Sequence, residues 1–257
     1  MNGVLLVIAM LFASPETSEP PMHLILLAGQ SNMAGRGEIA PEDLEPHPRV
    51  VMLNADGDWV PAVAPVHYDL PDLIGVGLGR TFAVRYAEDH PGVTVGLIPA
   101  AEGGSSIEAW RLGGTHGKRR ARPYDSAIAR TQRALRDGKL VAILWHQGES
   151  DCNAEDSPLH ESRLRTLIAS LRADLDAGKV PFLIGQLGQF RDPPWGENGQ
   201  RVDDAHRVVA NDDPLAAFVS SEGLDDGGDE LHFSADAYRE FGDRYYEAFL
   251  ELDRTGE

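Results

Sequence analysis

The chain alternates short apolar runs with longer stretches of helical periodicity, and this alternation restricts it to few folds. Apolar residues recur at the three- and four-residue spacing of amphipathic helices over residues 77–88, 124–136, 158–175 and 235–252. Five apolar runs have the length of buried strands, and they cover residues 24–28, 93–98, 140–145, 180–185 and 216–219. Because strands separated by helices pair in parallel through helical crossovers, the pattern predicts an α/β fold with a central five-stranded parallel sheet.

The segment from residue 38 to residue 75 breaks this alternation. It is rich in proline, and two apolar stretches, 49–53 and 59–63, flank a run of mostly Asn, Asp and Gly at 54–58. These residue types favour a tight turn. We expect a small hairpin or an irregular excursion here.

Length and charge limit the classes of function. A chain of 257 residues suits one α/β domain with a sizeable core, which we place at residues 22–257. The formal net charge is -18, so the surface should repel nucleic acid and anionic membranes, although acidity also serves solubility. A neutral or cationic substrate suits such a surface better than an anionic one. The single cysteine, Cys152, excludes an intrachain disulfide.

The first 21 residues have features of a secretory signal. An apolar run at residues 4–12 is too short to span a bilayer, and Ala13 after it offers a cleavage site, although no Lys or Arg precedes the run. We expect residues 1–21 to be a signal peptide and the mature domain to be periplasmic or extracellular. If Met22 is the true start, the segment is an N-terminal extension and the protein is cytoplasmic.

Two motifs at opposite ends of the chain indicate nucleophilic catalysis. Ser31 lies in the block Gly29-Gln30-Ser31-Asn32 that directly follows the first apolar run, and Asp229 precedes His232 by three residues near the C-terminus. A serine hydroxyl becomes a good nucleophile when an imidazole removes its proton, and a carboxylate holds the tautomer of that imidazole. Each motif alone is a common turn or loop. Together they predict a serine hydrolase.

Further candidates follow the other predicted strands. Gly103 and Gly104 come after the second strand, and Gln147 and Glu149 come after the third. Ligands of open parallel sheets bind beyond the carboxyl ends of the strands, so these residues should meet Ser31 at one edge. The Ser31 and glycine N–H groups and the Gln147 amide are candidate donors to an oxyanion. The alternatives are a plain turn for the glycines and a buried amide for Gln147.

Four blocks in a fixed order resemble a known family. They are residues 29–37 (GQSNMAGRG), 103–110 (GGSSIEAW), 145–151 (WHQGESD) and 229–233 (DELHF). The chain resembles the branch of the SGNH (GDSL-like) hydrolases that contains carbohydrate esterase family 6 and the sialate O-acetylesterases. The common α/β-hydrolase elbow Gly-x-Ser-x-Gly is not matched, because Met33 stands where its second glycine would be.

This resemblance implies a flavodoxin-like three-layer α/β/α sandwich and removal of O-acetyl groups from carbohydrates without a metal or other cofactor. It assigns the nucleophile to Ser31 and the general base to His232. It places the oxyanion hole at the backbone N–H groups of Ser31 and Gly104 and at the side chain of Gln147. Most SGNH hydrolases use an Asn as this last donor, whereas this branch has Gln in its third block.

Two carboxylates compete for the third position of the triad. Asp229 has the usual Asp-x-x-His spacing, from which one loop can hold acid and base together. Glu149 lies in the third block, on a loop that should reach the same pocket. We favour Asp229 as the acid of the triad. The alternatives for Glu149 are the triad position itself or a second, supporting contact with His232.

Other residues near the motifs are candidates for substrate contacts. Asn32, Arg36 and Gly103 adjoin the predicted nucleophile or the glycine pair. The indole of Trp110 offers a face for stacking on a sugar, although this residue is equally suited to packing in the core.

Two polar clusters have simpler explanations. His146, Glu149 and Asp151 lie close together, but they occupy a predicted turn and lack the spacing of a helical zinc motif, so we predict no metal site. Residues 118–122 (KRRAR) form the only basic cluster of this acidic sequence. A solvated loop is the simplest interpretation of this cluster, and contact with a polymer or a partner is the alternative.

The predicted function is a serine esterase that removes O-acetyl groups from acetylated saccharides such as xylan or sialates. Two alternatives stay open, namely an SGNH esterase acting on lipid or other small acyl esters and a non-catalytic carbohydrate-binding relative. No amphipathic lid segment stands in the sequence, which disfavours a lipid substrate. A pure binder has no need of Ser31, Asp229 and His232 together. The sequence predicts neither the particular sugar nor the oligomeric state.

Overall fold

The computed structural model describes residues 22–190 and 195–255 of the chain. The predicted signal peptide, residues 1–21, lies outside the described residues and stays a prediction.

One sheet organises the described residues. It has the spatial order β3-β2-β4-β1-β5-β6-β7, and its strands are β1 (Met22–Gly29), β2 (Val50–Leu53), β3 (Trp59–Pro61), β4 (Val95–Pro99), β5 (Gly138–His146), β6 (Phe182–Gly185) and β7 (Ala216–Val219). Neighbouring strands are parallel except for the antiparallel edge pair β2–β3. The predicted α/β fold is confirmed, but the sheet has seven strands and not the predicted five.

The two additional strands come from the proline-rich segment. Residues 54–58 form the predicted hairpin turn, in which the Gly57 N–H donates to the Asn54 carbonyl at 3.2 Å. β2 also pairs in parallel with β4, so the hairpin extends the main sheet. Val50 and Leu53 are each 1% exposed. Removal of these apolar side chains from water favours docking of the hairpin on the sheet edge.

Among the described residues there are six α-helices, which are α1 (Ser31–Ala34), α2 (Leu78–Asp89), α3 (Pro123–Ala134), α4 (His160–Asp174), α5 (Gly196–Asp212) and α6 (Ala235–Thr255). Periodicity predicts α2, α3, α4 and α6 but misses α5. The buried face of α5 includes Asp203 and His206 beside Val202 and Val209. Polar residues therefore interrupt its apolar spacing.

The side chains of β1 alternate between two cores on opposite faces of the sheet. Ile25 and Leu27 belong to a core built with α2 and α6, whereas Leu24 and Leu26 belong to a core built with α3, α4 and α5. All four side chains are fully buried. This alternation is the period of a strand covered on both faces, and the predicted three-layer α/β/α sandwich is confirmed.

The topology brings several loops to one edge of the sheet. β1 lies at the centre between β4 and β5, so the carboxyl ends of these three strands are neighbours. The loops that leave them carry Ser31, residues 103–104 and residues 147–151, and the loop after β7 carries His232. This is the edge where open parallel sheets bind ligands. Within the described ranges, no helix is both long and apolar enough to cross a membrane.

Candidate active site

A sharp turn holds Ser31 at the carboxyl end of β1. Gly29 has a φ of +138°, and a Cβ at this position would lie 2.0 Å from the carbonyl oxygen of His146 on β5. Only glycine therefore allows β1 to run this close to β5 before the chain turns. The Gln30 N–H donates to the same carbonyl at 2.9 Å, and Ser31 begins helix α1 directly afterwards.

His232 connects Ser31 with Asp229 through two hydrogen bonds. Its Nε2 lies 3.0 Å from Ser31 Oγ, and its Nδ1 lies 2.6 Å from Asp229 Oδ2. Because a carboxylate only accepts hydrogen bonds, the proton of the neutral ring is on Nδ1, and the lone pair of Nε2 faces the serine hydroxyl. An imidazole in this position can take the serine proton.

Both carboxylate oxygens of Asp229 accept hydrogen bonds. Oδ1 accepts the backbone N–H groups of Leu231 at 2.9 Å and His232 at 2.7 Å, while Oδ2 accepts from the His232 ring. Partial burial raises the pKa of Asp229, but these hydrogen bonds outweigh it and hold the pKa below its ordinary value. Asp229 is therefore ionised at neutral pH and fixes the orientation of His232.

The loop that carries His232, residues 225–234, is closed by its own backbone and anchored by one aromatic side chain. The Gly227 N–H donates to the His232 carbonyl at 2.7 Å. Phe233 is 1% exposed and packs against an aromatic cluster that consists of His146, Phe190, Tyr238 and Phe241. The packing of Phe233 thus holds the neighbouring imidazole beside Ser31.

The rival acid, Glu149, has other partners. Its Oε1 accepts from Asn32 Nδ2 at 2.5 Å and lies 3.3 Å from His146 Nε2. Burial raises the pKa of Glu149, but the hydrogen bonds from His146 and Asn32 outweigh it and hold the pKa below its ordinary value. Since the His232 Nδ1–H donates to Asp229 and not to Glu149, the geometry favours Asp229 over Glu149 as the orienting acid.

Asn32 ties three segments together and does not face the cleft. Its side chain is fully buried, Nδ2 donates to Glu149 and to the Leu231 carbonyl, and Oδ1 accepts from Tyr238 OH at 2.5 Å. These bonds occupy both ends of the amide. The prediction that Asn32 contacts substrate is therefore corrected, because this residue joins the Ser31 turn to the loops that carry Glu149 and His232.

Trp110 is also a core residue. It is 2% exposed, its Nε1–H donates to Ser105 Oγ at 2.9 Å, and its ring packs edge-on against Trp145 at 5.0 Å. An indole in this position has no free face for a sugar. The packing alternative is correct for Trp110, and the substrate-stacking prediction is wrong.

A cleft of about 350 Å³ has Ser31 and His232 in its wall. Of the residues predicted for the site, Arg36, Gly103, Gly104 and Glu149 also line it. The residues that the sequence did not identify are Gln30, Leu70, Leu73, Ser150 and Leu231.

A buried ion pair fixes one wall of this cleft. Arg36 Nη2 lies 3.1 Å from Asp69 Oδ2, and the two side chains are 8% and 2% exposed. The same oxygen accepts the Gly103 N–H at 2.8 Å. A Cβ on Gly103 would lie 2.7 Å from the Arg36 guanidinium, so glycine permits this approach. Asp69 comes from the proline-rich segment, and no local spacing in the sequence indicates its role.

Gln147 does not line the cleft. It is fully buried, and its Nε2 donates to the Ser105 carbonyl at 3.1 Å and to Asp151 Oδ2 at 2.5 Å. Because a carbonyl only accepts, these bonds fix the orientation of the amide and use its N–H groups inside the protein. The predicted oxyanion role of Gln147 is corrected to the alternative, a buried amide.

Gln30, directly before Ser31, lies in the cleft wall instead. Its Oε1 accepts the backbone N–H of Ser150 and the Nε2 of Gln147, both at 3.3 Å. Because a backbone N–H only donates, the amide oxygen must face Ser150, and the amide nitrogen points the other way. In the described part of the chain no acceptor binds this nitrogen, so Gln30 brings an unpaired donor next to Ser31. Gln30 stands next to Ser31 in the first motif block, residues 29–37, and this position is the sequence signal that could have identified it as a site residue.

Two backbone donors stand near this amide. Ser31 begins α1, where the first N–H groups have no acceptor within the helix. Gly104 lines the cleft with a φ of +74°, and no acceptor for its N–H lies within residues 22–190 or 195–255. These N–H groups are available to an anionic oxygen in the cleft.

The carboxylates of Asp151 and Glu149 already bind protein groups. Asp151 accepts the Ile107 N–H at 3.0 Å as well as the Gln147 amide, and Glu149 accepts from Asn32. Across the described residues, no group of three His, Cys, Asp or Glu side chains is arranged to hold a metal ion.

A serine, a histidine and an aspartate hydrogen-bonded in this order, at the carboxyl edge of a parallel sheet, have the arrangement of a serine hydrolase. The chain belongs to the carbohydrate esterase family of sialic acid-specific acetylesterases, whose model matches residues 21–251. It is therefore a carboxylic ester hydrolase, and the resemblance carried by the four sequence blocks is confirmed.

Individual relatives agree with this family. A protein of Arabidopsis thaliana described as a probable carbohydrate esterase is 29% identical, over 90% of this chain and 91% of the relative. Its crystal structure matches with a TM-score of 0.80 at 28% identity, over 90% and 99% of the two chains. NanS matches with a TM-score of 0.75 at 21% identity, over 92% and 99%. A carbohydrate acetylesterase from Xanthomonas citri matches with a TM-score of 0.70 at 19% identity, over 91% and 57%. The last two similarities show a shared fold.

Proposed function

We propose that this protein is a serine esterase that removes O-acetyl groups from acetylated carbohydrates through an acyl-enzyme. The observation that carries the proposal is the hydrogen-bond chain from Asp229 through His232 to Ser31, which opens into a cleft of about 350 Å³. The family and the names of the Arabidopsis and Xanthomonas proteins support an acetylated sugar as the substrate, with xylan-type and sialate esters as the first candidates.

The first half-reaction transfers the acetyl group to the enzyme. His232 Nε2 takes the proton of Ser31 as Oγ attacks the acetyl carbonyl, and Asp229 stabilises the imidazolium that forms. As the tetrahedral intermediate collapses, the ester C–O bond breaks. His232 then gives its proton to the departing sugar oxygen.

Three N–H donors are suited to the negative oxygen of that intermediate. They are the backbone groups of Ser31 and Gly104 and the side-chain amide of Gln30, all in residues that line the cleft. A well-placed donor of this kind lowers the barrier by about 3 kcal/mol. Gln30 takes the place that the family resemblance assigned to Gln147, because the amide of Gln147 already donates to buried protein groups.

The second half-reaction releases acetate. Water, deprotonated by His232, attacks the acetyl-serine, and Ser31 leaves with the proton that His232 returns. Leu70, Leu73 and Leu231 give the cleft apolar surface against which a methyl group can lie. A small acyl group such as acetyl fits this surface.

Acetate release by the wild type and by Ser31→Ala tests the proposal. Acetylated xylan, 9-O-acetylated sialate and p-nitrophenyl acetate are each assayed with and without a chelator. Chelator-resistant release from a sugar ester, abolished in Ser31→Ala, is the expected result. Release from the nitrophenyl ester alone would move the substrate toward lipid or other small acyl esters. Sugar binding without any hydrolysis would indicate a non-catalytic binder and overturn the proposal.

A further inference from the structure

A second cavity lies beside the cleft. Its volume is about 330 Å³, close to the volume of the cleft. The two cavities share a wall, because Asp69 and Glu102 line the second cavity while the next residues in the chain, Leu70 and Gly103, line the cleft. We call the second cavity the arginine pocket, after three residues in its lining, Arg119, Arg122 and Arg130.

The arginine pocket takes its two exposed cations from the basic cluster at 118–122. Arg119 and Arg122 line it, whereas Lys118 and Arg120 do not. Arg119 Nη2 donates to the Asp69 carbonyl at 3.1 Å, which ties the loop to the wall shared with the cleft. Two of the four basic residues of this cluster therefore line a cavity beside the cleft that contains Ser31. They do so in a chain whose net charge is -18.

Arg130 places a third, less exposed cation at the pocket. Its Nε donates to the Pro99 carbonyl and its Nη2 to the Leu53 carbonyl, both at 2.7 Å, and its guanidinium lies 4.7 Å from the centre of the Tyr68 ring. Burial lowers the pKa of Arg130 to about 10, so the group is charged at neutral pH. Among the described residues no carboxylate forms an ion pair with it. A partly buried cation without a counter-ion favours an anionic ligand.

The cations that line the pocket outnumber its carboxylates. Asp69 is already paired with Arg36 and with the Gly103 N–H. The other carboxylate is Glu102, and three arginines, Arg119, Arg122 and Arg130, stand against it. Of these three, only Arg122 forms an ion pair among the described residues, with Asp125 at 3.5 Å. The charge that remains for a ligand is therefore positive even when Glu102 is ionised.

We infer that the arginine pocket binds a carboxylate-bearing sugar unit joined to the unit whose acetyl group enters the cleft. Guanidinium groups bind carboxylates through paired N–H donors, and the shared wall puts the next unit of a saccharide within reach of Arg119 and Arg122. This inference rests on the proposed function, because it takes the cleft as the place of ester hydrolysis. It makes the pocket a local exception to the expectation that an acidic chain prefers neutral or cationic substrates.

Three single variants test the inference. Arg119→Ala and Arg122→Ala each remove a cation that lines the pocket, and Lys118→Ala removes a cation from the same loop that does not. KM is measured for an acetylated xylo-oligosaccharide with a glucuronate branch, for the same oligosaccharide without the branch and for p-nitrophenyl acetate. We expect KM for the acidic substrate to rise about tenfold in the two pocket variants. The other two substrates, and Lys118→Ala with all three, should be unchanged.

Two results would overturn this inference. One is an equal loss on the acidic and the neutral oligosaccharide, and the other is no preference of the wild type for the acidic one. Calorimetry measures binding of the deacetylated acidic oligosaccharide to Ser31→Ala and to the double variant Ser31→Ala/Arg122→Ala. This comparison separates the inference from the proposed function. If the wild type hydrolyses no ester but this binding depends on Arg122, the proposed function fails and the pocket assignment stands.

Discussion

In the proposed mechanism Asp229 acts through the tautomer of His232, because its Oδ2 accepts the hydrogen bond from Nδ1 at 2.6 Å. Asp229→Asn would place an N–H donor opposite Nδ1 and favour the tautomer with the proton on Nε2. We expect kcat with p-nitrophenyl acetate to fall by about 10⁴-fold. Asp226→Asn is the control, since Asp226 accepts the Glu230 N–H in the same loop at 2.7 Å. A fall of less than about tenfold in Asp229→Asn would reassign the orienting role, with Glu149 as the next candidate.

Gln30 and Gln147 have different roles although their amides are in contact. Gln30→Ala removes a donor from the cleft, so kcat should fall by about 10²- to 10³-fold while KM changes little. Gln147→Ala removes the amide that donates to the buried Ser105 carbonyl and one of the two donors to Asp151, so the free energy of unfolding should fall by about 1–3 kcal/mol. Steady-state kinetics and urea unfolding of both variants check this. A loss of kcat without loss of stability in Gln147→Ala would restore its predicted oxyanion role.

Glu149 links the stability of the fold to pH. Its pKa is lowered in the folded protein, so the unfolded chain binds a proton more readily. Its stabilising contribution is therefore complete above the ordinary value of 4.5 and is lost as the pH falls through the folded-state pKa. The difference in unfolding free energy between the wild type and Glu149→Gln should shrink as the pH falls below 4.5. Urea unfolding at several pH values measures it, and a difference independent of pH would contradict this assignment.

At the scale of elements, the loop at 225–234 connects core packing to the site through Phe233. Phe233→Ala should lower the free energy of unfolding by about 3–5 kcal/mol and also lower kcat, because the neighbouring His232 loses its support. Phe249→Ala is the matched control. Phe249 is 6% exposed on α6 and packs with Phe82 and Tyr86, in the same core but away from the cleft. It should lose similar stability while the folded variant keeps its kcat. Equal kcat losses per folded molecule would show that the loop has no special role.

Elements differ in how far the sequence predicts them. β1 is a continuous apolar run because both of its faces are covered, and α6 repeats aromatic residues at helical spacing, so local patterns identify both. β3 is three residues long and paired on one side only, and α5 buries Asp203 and His206. Asp203 can be buried because it accepts hydrogen bonds from the Gln186 side chain and the Leu187 N–H. These donors lie outside α5, so the sequence of the helix itself does not reveal them.

At the scale of the whole molecule, the charge excess should make stability depend on ionic strength. The chain has 41 acidic and 23 basic residues, so repulsion within its surface is not fully compensated by ion pairs. Exposed ion pairs contribute about 0–1 kcal/mol each, and salt screens both the repulsion and the attraction within these pairs. We expect the midpoint of thermal unfolding to rise as sodium chloride is raised from low to physiological concentration. A midpoint that falls would mean that surface ion pairs outweigh the repulsion.

The α/β class, the order of the four motif blocks and the choice of Ser31, Asp229 and His232 as candidate catalytic residues all follow from the sequence alone. These features can be recognised without the structure, because strand length, helical period and the three-residue spacing of Asp229 and His232 are local properties of the chain. Other features are visible only in the folded protein: Gln30 and not Gln147 lines the cleft, Asn32 and Trp110 are buried, and Asp69 supports Gly103. The direction of a polar side chain depends on donors and acceptors that distant segments supply, and these meet only in the folded protein.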